Sequence, residues 1–454
     1  MSHSELSERP MAPKREIFGW AMFDFANQAY TLLIITVIFP VLFTTVIAGN
    51  GDDQYRLGNL LWSISLALSY LLVVLTGPVM GAIMDFSASK KRFLFYSYTV
   101  TVIATAALYF VEPGMIVSGM VLLIISNFAY AVGENFIASF LPALGPPESL
   151  GKISGFGWAL GYAGGLLSAG FVIFYLGDAT LENFGRIRWV GPFAAVFFLL
   201  AAVPTFCWLR EPGIAEKLKA GESYTRAGFR RLGETLEEIA DYRDLAIFLA
   251  SVFFSMGGIY IIVSFSFIYG DQVIGWDEEI RILMFLIVQI TAALGALMFG
   301  ILQDRIGAKT TYILTLVTWF LAVIGIYGLP ELTDWVNRIF GKQYEAQHLF
   351  LVIGVLAGTS LGSNQSVSRA LVGLFTPDQK SAEFFGFWGL FNKLAGVFGI
   401  IGLGVLQARF GLERAILFCA MLFLTALLIA LFVNQKRGAA IAREKTLNRY
   451  ILRE

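Results

Sequence analysis

Residues 210–243 read REPGIAEKLKAGESYTRAGFRRLGETLEEIADYR, and they form the one long polar interval of an otherwise apolar chain. Hydrophobic side chains make up 57% of the 454 residues and charged side chains only 15%, and the mean hydropathy is +0.70. A water-soluble domain does not have so large an apolar fraction, so the composition indicates a polytopic membrane protein. Six long apolar runs precede the interval and six follow it, which predicts a linker between two halves.

A helix needs about 20 apolar residues to cross the hydrocarbon core of a bilayer. This length predicts about twelve transmembrane helices, which we number as spans 1 to 12 in chain order. They lie near 19–47, 59–83, 93–111, 115–140, 153–176, 189–209, 244–269, 280–302, 310–329, 348–374, 383–408 and 412–433. Span 1 is too long for a signal peptide and contains Asp24, so we expect it to be retained. The predicted fold class is all-α, with two pseudo-symmetric six-helix bundles.

Most of the 33 Lys and Arg residues fall in cytoplasmic segments if both termini are placed in the cytoplasm. The positive-inside rule therefore predicts that orientation. The predicted organisation is a cytoplasmic N-terminal segment, a first bundle, a cytoplasmic linker, a second bundle and a cytoplasmic tail. Their bounds are 1–18, 19–209, 210–243, 244–433 and 434–454.

The polar loops after spans 2 and 8 repeat one another. The first reads GAIMDFSASKKR (81–92) and the second GILQDRIGAK (300–309), which aligns Asp85 with Asp304. Arg305 follows the second aspartate directly, whereas Phe86 follows the first, whose cations begin at Lys90. A second repeat lies in spans 4 and 10, where Glu134 and Arg369 each precede a proline by eight residues. Two homologous six-helix halves account for both repeats.

Two six-helix halves, a cytoplasmic middle linker and the paired loops resemble the major facilitator superfamily of secondary transporters, over essentially the whole chain. By this resemblance, Asp85, Asp304 and Arg305 hold the cytoplasmic ends of the halves together and gate the pathway. Four stretches resemble a narrower branch, the fungal vacuolar amino-acid effluxers and their bacterial relatives. They are GWAMFDFANQAY (19–30), ENFIASFLPAL (134–144), SGFGWALGYAGG (154–165) and AEFFGFWGLFNKLAG (382–396). The resemblance implies a transporter in the cytoplasmic membrane of a bacterium, and it suggests amino acids as solutes.

Four ionisable side chains lie well within the predicted spans: the acids Asp24 and Glu134 in the first half, and the bases Arg369 and Lys393 in the second. Each costs roughly 2.5–3.5 kcal/mol at the centre of a membrane helix, so each should face a cavity or a partner rather than lipid. A zwitterion could offer its ammonium to the acids and its carboxylate to the bases. We therefore predict that the bases bind substrate and that Asp24 or Glu134 transfers protons.

Polar neighbours at helical spacing extend this candidate site, and the aromatic Tyr30 is added as a residue that lines the same cavity. Asn27 and Tyr30 follow Asp24 on span 1, Asn127 lies two turns before Glu134, and Gln365 lies one turn before Arg369. We expect these four residues to contact the substrate as well. Two structural alternatives remain open: Asp24 could reach cytoplasmic water near the end of its helix, and Glu134 and Arg369 could form a permanent ion pair.

Other classes of protein fit the sequence poorly. The formal net charge is zero, which gives no reason to expect a nucleic-acid partner. The sequence contains neither a Cys/His cluster that would predict a metal site nor a G-x-x-x-x-G-K-[ST] loop that would predict ATP hydrolysis. We therefore expect no cofactor and no enzyme activity. The expected partners are a small solute, protons and membrane lipids, with the protein as a monomer. A carrier of sugars or amphipathic drugs, or a sensor on the same fold that transports nothing, is the alternative function.

Overall fold

The computed structural model describes residues 10–49, 56–177, 180–213, 215–216, 218, 223–238, 240–341 and 343–451. Parts of the predicted N-terminal segment, linker and tail lie outside these residues. Within them the secondary structure is helical, and 12 helices are long and apolar enough to cross a membrane. Their bounds are Lys14–Ile47, Leu57–Ser87, Lys90–Phe110, Ile116–Ala143, Pro147–Leu176, Phe184–Trp208, Arg243–Tyr269, Glu278–Ile306, Ala308–Tyr327, Ala346–Phe375, Asp378–Gln407 and Leu412–Leu431. The chain is an integral membrane protein with the predicted all-α fold.

Three further helices connect or follow the spans. The linker helix, Tyr224–Glu237, lies within the predicted polar interval, and the tail helix, Gln435–Ile451, follows span 12. A third, which we call the amphipathic helix, is Leu329–Phe340 between spans 9 and 10. The length of the apolar runs predicts no helix in that interval. Its apolar residues recur every three or four positions and are too few to form a span.

The described chain divides into two compact units. Unit 1 comprises residues 1–146, 160–237 and 376–390, and unit 2 comprises residues 147–159, 238–375 and 391–454. Unit 1 therefore contains the beginning of span 11, and unit 2 contains the beginning of span 5. The predicted division into two bundles at 210–243 remains a prediction.

Close helix packing in unit 1 depends on small residues and on polar side chains that satisfy backbone groups of neighbouring spans. The Trp20 indole donates to the Ile137 carbonyl at 2.8 Å, which joins spans 1 and 4. The Thr205 hydroxyl donates to the Gly19 carbonyl at 2.6 Å, which joins spans 6 and 1. At Gly19 a Cβ would lie 2.9 Å from the Pro204 carbonyl oxygen, so only glycine allows this approach.

The tail helix and span 7 are joined in unit 2 by charged groups. Arg437 donates to both carboxylate oxygens of Asp244, at 2.6 and 2.9 Å. Lys445 forms ion pairs with Glu238 at 3.3 Å and Asp241 at 2.7 Å. These acids raise the pKa of Lys445, with the Asp241 hydrogen bond as the largest cause. The tail helix is thus a fixed part of unit 2.

Candidate functional site

The two predicted acids lie in unit 1, on spans 1 and 4. Asp24 is buried, and its backbone carbonyl oxygen would be 3.3 Å from a Cβ placed at Gly161 of span 5. Asn27, one turn along span 1, is buried as well. Span 5 thus packs closely on this polar stretch of span 1, because glycine leaves room for its backbone.

Glu134 is half-buried and ends a row of hydroxyl groups between spans 1 and 4. The Tyr130 hydroxyl donates to Glu134 Oε1 at 2.7 Å, and the Thr31 hydroxyl lies 2.7 Å from the same tyrosine oxygen. The Thr31 hydroxyl also lies 3.3 Å from the Asn27 carbonyl oxygen, one turn earlier on span 1. The row orients the carboxylate of Glu134. Tyr130 and Thr31 were not among the predicted site residues, although Thr31 shares its face of span 1 with Asp24.

Tyr30 and Asn127 are buried in the packing between helices of unit 1. The Tyr30 hydroxyl lies 2.9 Å from Ser126 Oγ, and its ring stacks on Tyr130 with centroids 4.6 Å apart. Asn127 donates from Nδ2 to Ser69 Oγ at 2.6 Å, which joins spans 4 and 2. These contacts position the span around Glu134, and direct contact with a solute stays a prediction for both residues.

Arg369, the first predicted base, lies in unit 2 and contacts the beginning of span 5. The guanidinium donates to Ser154 Oγ at 3.1 Å and to the Ser154 carbonyl oxygen at 2.9 Å. Ser154 donates in turn to the Ser366 carbonyl at 2.8 Å, and the guanidinium carbon lies 5.3 Å from the centre of the Trp158 ring. Span 5 therefore fixes the orientation of the cation through Ser154, which was not among the predicted site residues.

Lys393, the second base, is buried in unit 2 beside Tyr260 of span 7. Its ammonium donates to the Tyr260 hydroxyl at 3.5 Å, and a Cβ at Gly396 would lie 3.1 Å from the same ring. Gln365 is half-buried one turn before Arg369 on span 10. The predicted separation of acids from bases is therefore also a separation between units 1 and 2.

Asp85, a predicted gating residue, contacts the beginning of span 11 within unit 1. Its carboxylate accepts the backbone N–H of Glu383 at 2.9 Å and forms an ion pair with Lys90 at 3.0 Å. Lys90 also donates to the Ser381 hydroxyl. Lys90 thus supplies the cation that is missing directly after Asp85. A Cβ at Gly81 would lie 2.8 Å from Glu383 Cα, so this glycine permits the close approach of spans 2 and 11.

The linker helix adds a buried arginine to the same region. Arg231 forms ion pairs with Glu216 at 2.6 Å and with Glu383 at 3.5 Å, and it donates to the Gln379 carbonyl. Burial lowers the pKa of Arg231, but the carboxylates of Asp85, Glu383 and Glu216 outweigh it and raise the pKa overall. The guanidinium therefore stays charged. We call Asp85, Lys90, Glu216, Arg231 and Glu383 the charge cluster.

Asp304 occupies the equivalent position in unit 2. Its carboxylate accepts the backbone N–H groups of Gly151 and Lys152, each at 3.1 Å, where span 5 begins. Carboxylates are favourable at such helix N-termini because the first N–H groups have no partner within the helix. Arg305 is exposed. The repeated aspartates thus bind the N-terminal ends of spans 11 and 5, respectively.

A family model described as "Vacuole effluxer Atg22 like" matches residues 61–443. The chain is 24% identical over 431 residues to the MFS-type transporter YxiO of Bacillus subtilis, covering 94% of this chain and 96% of that protein. It is 23% identical over 482 residues to autophagy-related protein 22 of Kluyveromyces lactis, covering 96% of each.

Solved structures of major facilitator transporters have the same fold. The proton:xylose symporter XylE superimposes with a TM-score of 0.69 at 15% identity, covering 95% of this chain and 99% of that one. The human organic anion transporter MFSD10 gives a TM-score of 0.70 at 14% identity, covering 92% and 99%.

Proposed function

The chain belongs to the Atg22-like family of major facilitator transporters, and from that premise we propose that its solute is a small zwitterion such as an amino acid, moved by alternating access and coupled to protons. The family and fold are those of transporters, not of enzymes, and imply a small-molecule substrate. The observation that supports the proposal is the placement of two acids, Asp24 and Glu134, in unit 1 and of two buried bases, Arg369 and Lys393, in unit 2.

Burial of a charged side chain in a membrane helix is energetically unfavourable. Insertion scales give a free energy of roughly 2.5–3.5 kcal/mol per charged group, so a charge that serves only packing would be disfavoured. Hydroxyl groups of Tyr130, Ser154 and Tyr260 contact three of these charged groups and orient them. An oriented charge is suited to binding an ion of opposite sign.

A zwitterionic solute satisfies both signs at once. In this proposal its carboxylate binds Arg369 and Lys393, and its ammonium binds on the side of Asp24 and Glu134, with contacts from Asn27, Tyr30, Asn127 and Gln365. Arg369 can present two parallel N–H groups to a carboxylate, whereas Lys393 acts as a point charge. Arg369 then sets the orientation of the solute.

Proton coupling is assigned to Glu134, with Asp24 as the second candidate. Glu134 is the half-buried one of the two and already accepts a hydrogen bond from Tyr130. A carboxyl group that is partly accessible can exchange its proton with a water-filled cavity. The proposal also places both termini in the cytoplasm, the protein in a bacterial cytoplasmic membrane as a monomer, and Asp85, Asp304 and Arg305 in cytoplasmic gating.

The first experiment measures uptake of radiolabelled amino acids, sugars and nucleosides into proteoliposomes. We expect accumulation of one or more amino acids, and its loss in Lys393→Ala and Arg369→Ala at unchanged folding and monodispersity. Lys436→Ala is the matched control, because Lys436 is exposed on the tail helix. Transport near wild type in both site variants would remove the bases from the solute site. Accumulation of a sugar alone would favour the alternative carrier, and binding without uptake would favour a sensor.

The second experiment tests the proton site with Glu134→Gln. The variant should still exchange internal for external solute but should fail to concentrate it under an imposed pH gradient. Glu413→Gln is the control, since Glu413 is exposed at the beginning of span 12. Gradient-driven accumulation equal to wild type in Glu134→Gln would reject this role, and the test would move to Asp24→Asn.

A further inference from the structure

The amphipathic helix separates its apolar and polar residues completely. At 100° per residue, Leu332, Trp335, Val336, Ile339 and Phe340 occupy one side. The opposite side has Glu331, Asp334, Asn337 and Arg338. With 12 residues the helix is about 18 Å long, too short to cross a hydrocarbon core of about 30 Å.

Three of the five residues on the apolar side are exposed, while Leu332 and Val336 are half-buried. Trp335 is 57% exposed, Ile339 55% and Phe340 65%. Exposure of three large apolar side chains in a row along one helix is unfavourable in water. Something outside unit 2 therefore covers this side.

The orientation of the helix is fixed at both ends within unit 2. At its beginning Leu329 is buried and only Gly328 separates the helix from span 9. At its end Asn337 donates to the Tyr344 carbonyl at 3.0 Å and accepts the Tyr344 N–H at 2.7 Å. Rotation that would bury the apolar side against the protein would break these contacts.

The two spans that flank the helix in the chain also expose large apolar side chains. Leu321 of span 9 is 54% exposed and Val352 of span 10 is 68% exposed. In an integral membrane protein such side chains contact acyl chains. The helix follows directly where span 9 ends, which is the depth of the interface between hydrocarbon and headgroups, where tryptophan is enriched.

We propose that the amphipathic helix is a lipid-binding element that lies in the bilayer interface. Its apolar side, centred on Trp335 and Ile339, inserts between headgroups and acyl chains, and its polar side faces water. Arg338 lies on the polar side at the boundary, where a guanidinium can bind a lipid phosphate. The proposal does not depend on the identity of the solute.

The test uses spin labels in a background free of native thiols, Cys207→Ser with Cys419→Ser. Single cysteines replace Trp335 or Ile339 on the apolar side, with Asp334→Cys as the matched control on the polar side. The proteins are reconstituted in phosphatidylcholine–phosphatidylglycerol vesicles. Power saturation then compares collisions of each nitroxide with oxygen, which is concentrated in lipid, and with a water-soluble nickel chelate.

We expect the ratio of oxygen to nickel accessibility to be several-fold higher at positions 335 and 339 than at 334. A ratio at both apolar positions equal to that at 334 would place the helix in water and overturn the proposal. Low accessibility to both reagents at 335 and 339 would show that protein covers the apolar side, which would also overturn it. Two labelled positions guard against a variant that fails to fold, and neither outcome bears on transport.

Discussion

Removal of Arg231 should destabilise unit 1 more than removal of any exposed charge of the linker helix. The side chain of Arg231 is 4% exposed and that of Glu383 is 0% exposed, and the two form an ion pair at 3.5 Å. In Arg231→Met the carboxylate of Glu383 remains buried without this cation, and Glu216 loses its partner at 2.6 Å. Breaking a buried ion pair from one side typically costs about 3–5 kcal/mol, a large part of a typical free energy of unfolding of about 5–15 kcal/mol.

The reverse change is expected to cost less. In Glu383→Gln the guanidinium of Arg231 keeps Glu216, so the loss is that of one charge-assisted interaction, about 1.5–3 kcal/mol. The double variant leaves no uncompensated charge at Glu383. It should therefore be more stable than the sum of the single effects predicts, by about 1–3 kcal/mol.

The assay is thermal and denaturant-induced unfolding of the purified protein in detergent, for wild type, both single variants and the double variant. Arg226→Met is the matched control, since Arg226 is exposed on the same helix. If Arg231→Met and Arg226→Met unfold alike, the charge cluster does not stabilise the protein. Strict additivity in the double variant would show that Arg231 and Glu383 do not interact.

Three further predictions concern the ends of the spans. Gly81→Ala places a Cβ 2.8 Å from Glu383 Cα and should destabilise the folded protein by about 1–3 kcal/mol. Gly233→Ala, on the linker helix, places a Cβ in open space and should stabilise the folded protein by about 0.5–1 kcal/mol. Equal shifts of the two variants in thermal unfolding would contradict the close packing at Gly81. Asp304→Asn should lower the free energy of unfolding by about 0.3–1 kcal/mol, because it removes the negative charge at the N-terminal end of span 5. An unfolding temperature at low salt equal to that of wild type would contradict this contribution. Burial raises the pKa of Glu211 despite hydrogen bonds from the backbone N–H groups of Lys91 and Lys90, so the folded state holds this proton more tightly than the unfolded state. The associated stability is present at pH 4 and is lost as the pH rises through the folded pKa. Glu211→Gln should therefore reduce the pH dependence of the unfolding temperature between pH 4 and 7, and an unaltered dependence would refute the assignment.

The fold could be predicted from the sequence because its signals are long. A run of about 20 apolar residues tolerates errors of several positions, and twelve such runs with one polar interval leave few alternatives. Bounds were less accurate: span 1 begins at Lys14 rather than residue 19, because Lys14 and Glu16 continue the helix into the polar segment. The amphipathic helix was missed since a length criterion for spans excludes short amphipathic segments.

The site was predicted in part, since a charge in an apolar run is conspicuous and its partner is not. Asp24 and Arg369 could be selected because each is a charged residue within an apolar run of the sequence. Ser154 and Tyr260 could not, because serine and tyrosine are common in membrane helices and their contacts arise from tertiary packing. Arg231 was hidden in a polar segment where a solvated arginine is ordinary; only the linker helix, which buries it against Glu383, distinguishes it.

The two repeated aspartates, Asp85 and Asp304, occupy equivalent positions. They differ in the free energy needed to separate them from the helix ends that they contact, those of spans 11 and 5, respectively. Asp304 accepts hydrogen bonds from two backbone N–H groups, and water can replace these bonds with little loss of free energy. Asp85 accepts one such group but also belongs to the charge cluster, whose Lys90 and Arg231 are buried. Alternating access, if it parts span 11 from span 2, must hydrate these charges or give them new partners. Separation of span 11 from Asp85 therefore requires more free energy than separation of span 5 from Asp304, and Arg231 of the linker helix contributes to this difference.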